Sequence, residues 1–128
     1  MATILVIDDE EEIRNILQTI LEEAGHEVSL AVDGAEGISL YREEPTDIVI
    51  TDLIMPGKEG IETIRDLRAQ FPQVKIIAMS GRGGSYTNAN LDRAVMTGAD
   101  RSVAKPFGVS DILQVVGELV EANRSPST

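Results

Sequence analysis

The sequence predicts an open, doubly wound α/β domain: five parallel strands, each followed by a helix. Three observations predict it. Short runs of mostly β-branched residues alternate with longer amphipathic stretches, five times over. Those runs are continuously apolar and not alternating, as in strands buried on both faces. The intervals between them are long enough for the right-handed helical crossovers that join parallel strands.

The elements follow in order. The first strand is Thr3 to Ile7, and five acidic residues, Asp8 to Glu12, come directly after it. Such a run suits the positive end of a helix dipole. Ile13, Ile16, Leu17, Ile20 and Leu21 then fall at helical spacing, with Gly25 where a C-terminal cap belongs. The second strand, Glu27 to Ala31, leads to a helix marked by Ala35, Ile38 and Leu40. The third, Asp47 to Thr51, precedes a turn at Pro56-Gly57 and a helix carrying Ile61, Ile64 and Leu67. The fourth, Val74 to Ala78, precedes a helix with Leu91, Ala94 and Val95. A weaker fifth, Arg101 to Ala104, precedes a helix with Ile112, Val115, Val116 and Leu119.

Composition bounds the function. At 128 residues, 42% hydrophobic and 26% charged, the chain suits one globular domain, expected over residues 1–122, with a short polar tail at 123–128. A formal charge of −11 repels a phosphate backbone, and neither a basic stripe nor base-stacking aromatics offset it, which argues against nucleic acid as a direct partner. Zero cysteines exclude disulfides and thiolate metal sites. No apolar stretch approaches the ~20 residues that span a bilayer, and the start has no signal-like pattern. The expectation is a cytoplasmic protein without a membrane partner.

In open α/β sheets, ligands bind beyond the carboxyl ends of the strands. Those ends carry Asp8 and Asp9 after the first strand, Asp52 after the third, Ser80 after the fourth and Lys105 after the fifth. Singly, each has an ordinary structural use: a loop carboxylate, a turn hydroxyl, a solvated charge before Pro106. Together they place three carboxylates, a hydroxyl and an ammonium on one edge. Packed carboxylates raise one another's pKa unless a cation neutralises them, and hard oxygen ligands at a partly hydrated site favour a hard cation such as Mg²⁺.

The fragments "IDDEE", "TDLIMPG" and "AKPF" at three strand tips, with "GHEVSLAVDGAEGI" between the first two, resemble the receiver domain of two-component response regulators over residues 3–122. The resemblance implies a flavodoxin-like sheet of order 2-1-3-4-5. It also implies a phospho-accepting switch that catalyses only its own phosphorylation and dephosphorylation. Asp52, three residues before Met55-Pro56, would accept a phosphoryl group from a phosphohistidine on a kinase or phosphotransfer protein. Mg²⁺ would be held by Asp9 directly, Asp8 mainly through water, Asp52, and the backbone carbonyl of Ile54. Ser80 and Lys105 would serve the phosphoryl oxygens, with the Lys105 ammonium and the divalent cation balancing the three carboxylates. The response would appear on the face formed by the fourth helix, fifth strand and fifth helix, where a downstream protein target binds. No linker or second apolar pattern follows residue 122, so a stand-alone or excised receiver is expected.

Two departures bear on the switch. Many receivers carry an aromatic residue or His three positions before the strand-five lysine; here that position is Ser102. The segment after Ser80 holds Gly81, Gly83 and Gly84, which permit many backbone conformations. The loop Gly81 to Ser85, with Arg82 in reach of a new dianion, is therefore expected to carry the signal. Two other functions fit less well. An aspartyl-nucleophile, Mg²⁺-dependent phosphatase wants a second carboxylate two residues after the nucleophile, and that position is Ile54. A cofactor carrier wants a phosphate-cradling loop after strand one, where this chain has carboxylates.

Overall fold

The computed structural model describes residues 2–52, 60–80, 98–104 and 107–124. The strands are β1 (Thr3–Ile7), β2 (Glu27–Ala31), β3 (Ile48–Asp52), β4 (Ile76–Ser80) and β5 (Arg101–Ala104). The helices among the described residues are α1 (Glu11–Glu23), α2 (Gly34–Glu43), α3 (Gly60–Gln70) and α4 (Val109–Arg124). All strand pairs are parallel and the order is β2-β1-β3-β4-β5, as expected. The predicted helix at Leu91 to Val95 lies outside the described residues.

Strand alternation divides the core into two layers. Leu5, Ile7, Val49, Ile76 and Ala78 face Ile38 and Tyr41 of α2 and Ile64 and Leu67 of α3. Ile4, Val6, Ile48, Ile50, Ile77 and Met79 face Leu17 and Leu21 of α1 and Ile112, Val116 and Leu119 of α4. Central strands must be apolar on both faces to satisfy both layers. The edge strand β2 keeps Glu27 and Ser29 exposed, and a charge on an edge discourages pairing with other chains.

Local chemistry fixes the ends of the elements. Past α1, the His26 amide donates to the Leu21 carbonyl at 3.0 Å and the Gly25 amide to Glu22 at 3.0 Å, the paired bonds of a Schellman cap. Gly25 takes φ +97°, which only glycine adopts without strain. At the start of α2 the Asp33 carboxylate accepts the Glu36 amide at 2.8 Å, while the Glu36 carboxylate accepts the Val32 amide at 2.7 Å. This reciprocal arrangement satisfies two amides that the helix itself cannot. Gly37 lets α2 lie directly against β1, since a Cβ there would collide with the Ile7 side chain one residue before Asp8.

Two strand boundaries differ from the sequence expectation. Val74 is buried like a strand residue, but its amide donates to the Phe71 carbonyl at 3.0 Å, so it belongs to a turn. β4 therefore runs from 76 to 80, two residues later than expected, and Ser80 is its last residue instead of the first one beyond it. β3 starts one residue later than expected and includes Asp52. Asp47, outside the strand, clasps β1 instead: its carboxylate accepts the Thr3 amide at 3.0 Å and its amide donates to the Thr3 carbonyl at 2.9 Å.

Arg68 on α3 ties the approach to β4 to the approach to β5. Its guanidinium donates to the Gly98 carbonyl through Nε (3.2 Å) and Nη2 (2.6 Å). It also reaches Pro72 (2.9 Å) and Val74 (2.6 Å) through Nη1, and the Asp100 carboxylate (2.9 Å) through Nη2. The same Asp100 oxygen accepts the Ile76 amide at 2.8 Å. Among the described residues no helix is long and apolar enough to cross a membrane.

Candidate functional site

The register of β1 against β3 sets Ile7 opposite Thr51, so the next residues outward are Asp8 and Asp52. Both are buried, at 0% and 4% exposure. Carboxylates are rarely so enclosed unless something compensates them.

The tip of β1 is held from three directions. The Asp8 amide donates to the Ala31 carbonyl of β2 at 3.1 Å. Its carboxylate Oδ1 accepts the Glu10 amide at 2.8 Å, and its carbonyl accepts Nη1 of Arg14 at 2.7 Å. Arg14 reaches back from the first turn of α1, so strand and helix are locked together at the acidic edge. On β3, the fully buried Thr51 donates its hydroxyl to the Asp52 carbonyl at 3.2 Å.

Carboxylate oxygens of Asp8, Glu10 and Asp52 lie within 4.8 Å of one another. The structure thus unites two of the predicted acids and adds Glu10, which the sequence reading counted only as part of an acidic run. Asp9 is exposed at the same tip. One signal could have singled out Glu10: it occupies the N-cap of α1, a position where Ser, Thr, Asp or Asn is usual, and its side chain makes no cap bond.

Ser80 closes β4 opposite Ala104 of β5, and Asp52 stands opposite Met79. Lys105 follows Ala104 directly in sequence, and with Ile54 and the loop from Gly81 to Ser85 it lies outside the described residues. Ser102 is half-buried on β5 opposite Ala78. His26 is at the other end of the sheet, half-buried, with Nδ1 accepting the Ala2 amide at 3.0 Å. Burial lowers its pKa from the ordinary value, and the positive chain terminus adds to the effect.

Three hard oxygen donors, two buried and one reaching in from solvent, suit a small divalent cation that keeps part of its water. A cation also removes the mutual repulsion that otherwise opposes their convergence.

Comparison with known proteins identifies the family. Residues 4–117 match the response regulator receiver domain family. A receiver domain protein from Clostridium thermocellum is 30% identical with a TM-score of 0.88, the match covering 97% of this chain and 98% of that one. The response regulator TrrA from Thermotoga maritima, solved in complex with Mg²⁺-BeF, is 33% identical with a TM-score of 0.82, covering 93% and 99%. NtrX from Brucella abortus is 26% identical with a TM-score of 0.87, covering 96% of this chain but 27% of that longer one.

Proposed function

Because the chain belongs to the response regulator receiver domain family, a family of phospho-accepting signalling domains, we propose that Asp52 is its phosphoacceptor in a Mg²⁺-dependent switch. The observation that carries this reading is a 96%-enclosed Asp52 at a strand end, within 4.8 Å of two further carboxylates. The Mg²⁺-BeF complex of the Thermotoga relative supports the choice of metal, since beryllofluoride mimics a phosphoryl group.

The donor is a phosphohistidine on a histidine kinase or phosphotransfer protein. An Asp52 carboxylate oxygen forms a bond to phosphorus as the N–P bond of the donor breaks, and that electron pair returns to the imidazole nitrogen. Mg²⁺ would be held by Asp9, Asp52 and the Ile54 carbonyl directly and by Asp8 mainly through water, and would supply charge neutralisation at the phosphoryl oxygens. Ser80 donates a hydrogen bond to one of those oxygens, and Lys105 pairs with the developing negative charge. Arg14 and the buried Thr51 fix the backbones of Asp8 and Asp52, so the nucleophile is oriented before a donor arrives. The acyl phosphate then alters the face formed by the predicted fourth helix, β5 and the C-terminal helix α4 for a downstream protein target. The chain acts on no other substrate, and its site of action is the cytoplasm.

Incubation with Mg²⁺ and acetyl phosphate, followed by intact-mass analysis, tests the assignment. Wild type gains one phosphoryl group and Asp52→Asn gains none. Equal labelling of the variant would overturn the choice of Asp52.

A further inference from the structure

β2 is an outer strand of the sheet, paired only with β1 among the described residues. Along a parallel strand the peptide groups of successive residues point to opposite sides. The Glu27 amide donates to the Ala2 carbonyl and the Ala31 carbonyl accepts the Asp8 amide, so residues 27, 29 and 31 bond toward β1. The amides and carbonyls of Val28 and Leu30 therefore face outward, as the unpaired groups of a sheet edge do.

Beside this edge lies a groove of about 600 Å³. Ile38 and Tyr41 of α2 pack over Leu5 and Ile7 of β1, and the start of β2 is left uncovered on that face, with Glu27 and Ser29 exposed. Leu5 and Leu40 supply apolar lining, and Glu27, Glu43 and Glu44 supply carboxylates. None of the lining residues is basic, and among the described residues no side chain pairs with any of the three carboxylates. Glu43 and Glu44 also stand at the negative end of the α2 dipole, where an acid is unfavourable, while Arg42 of the same turn is engaged with Gln70 at 2.7 Å. A cation from outside the chain would relieve both costs.

We propose that this edge and groove form one docking site for an extended basic segment of a partner protein, which adds as a sixth strand beside β2. Bonds to the backbone of Val28 and Leu30 supply the hold, and Lys or Arg at alternate positions of the segment meets the carboxylates. Alternation matters because successive side chains of a strand leave opposite faces, and a neighbouring strand ~4.8 Å away sets one such face beside Glu27. A segment of about five residues matches the length of β2. A second copy of this chain is disfavoured, since it brings another charge of −11 and the same carboxylates. The groove lies toward the amino ends of the strands, whereas Asp52 closes the carboxyl end of β3, so docking does not compete for the acidic edge.

The test titrates the isotope-labelled full chain with a short capped peptide of alternating valine and arginine, followed by backbone amide NMR. The amides of Val28 and Leu30 are expected to shift most. Glu27→Gln, Glu43→Gln and Glu44→Gln together are expected to weaken binding about tenfold, from the loss of three exposed ion pairs. N-methylation of one alternate set of peptide amides is expected to abolish binding at constant charge, and methylation of the other set to be tolerated. Asp52→Asn is expected to bind the peptide as wild type does, so this inference stands or falls apart from the phosphoacceptor assignment. If both methylated peptides bind as the parent does, the attraction is to overall charge and the inference fails. It fails equally if the triple variant stays within about twofold of wild type, or if a peptide with glutamate in place of arginine binds as well.

Discussion

Replacing Arg68 with Met keeps most of the aliphatic stem against Gly98 and removes only the guanidinium, which isolates the polar contribution of the α3 tie. The structure sets the magnitude. The Pro72 carbonyl is exposed and recovers a partner from water, and Asp100 keeps the Ile76 amide. The carbonyls of Gly98 and Val74 are partly buried and lose their donors, at about 1 kcal/mol each toward the low end for such groups. The ion pair with Asp100 joins side chains that are 28% and 26% exposed, and adds about 0.5 kcal/mol at most. The expected loss is about 2 kcal/mol, or a drop of about 7 °C in Tm for a chain of this size. Urea denaturation followed by far-UV circular dichroism measures it, with the slope against denaturant unchanged if the denatured state is unaffected. A loss below about 0.5 kcal/mol would mean that water or neighbouring groups replace the guanidinium, and the tie would then carry no weight in fixing the start of β5.

Two further perturbations address the ends of the sheet. Asp33→Ala removes the acceptor for the Glu36 amide and should cost about 1 kcal/mol by the same denaturation assay, whereas Asp33→Asn should restore most of it. His26 is held neutral in the fold, with its pKa below the ordinary 6.5, so below that value the unfolded chain binds more protons. Its contribution is therefore complete above pH 6.5 and is lost as pH falls through the folded pKa. Between about pH 8 and about pH 5.5 the urea midpoint of wild type should fall further than that of His26→Gln, and parallel falls would show that the bond to the Ala2 amide does not depend on protonation.

The fold was legible because its strands are short apolar runs between amphipathic ones. β1, β2 and β5 begin and end where those runs do. β4 was displaced because Val74 is apolar and buried while belonging to a turn, and hydrophobicity alone cannot separate these two situations. Asp8 and Asp52 were legible as strand-tip acids. Glu10 was hidden among five adjacent acids, and its nearness to Asp52 depends on the pairing of β1 with β3, which no local pattern reports. Arg68 was illegible for a similar reason, since Gly98 and Asp100 lie 30 and 32 residues away in sequence.

The pairing of β1 with β3 has a consequence for how the chain folds. Two apolar strands draw each other together, yet closing the last pair, Ile7 with Thr51, brings Asp8 and Asp52 side by side out of water. The hydrophobic gain of zipping the strands is thus opposed at its final step by charge repulsion. Every carboxylate involved lies within the first 52 residues, so a nascent chain meets this barrier before β4 and β5 have emerged. A divalent cation bound at these tips, as proposed above, would lower that barrier by offsetting their charge and would then aid folding as well as phosphoryl transfer. Refolding should accelerate with Mg²⁺, and that acceleration should disappear in a chain carrying Asp8→Asn and Asp52→Asn together.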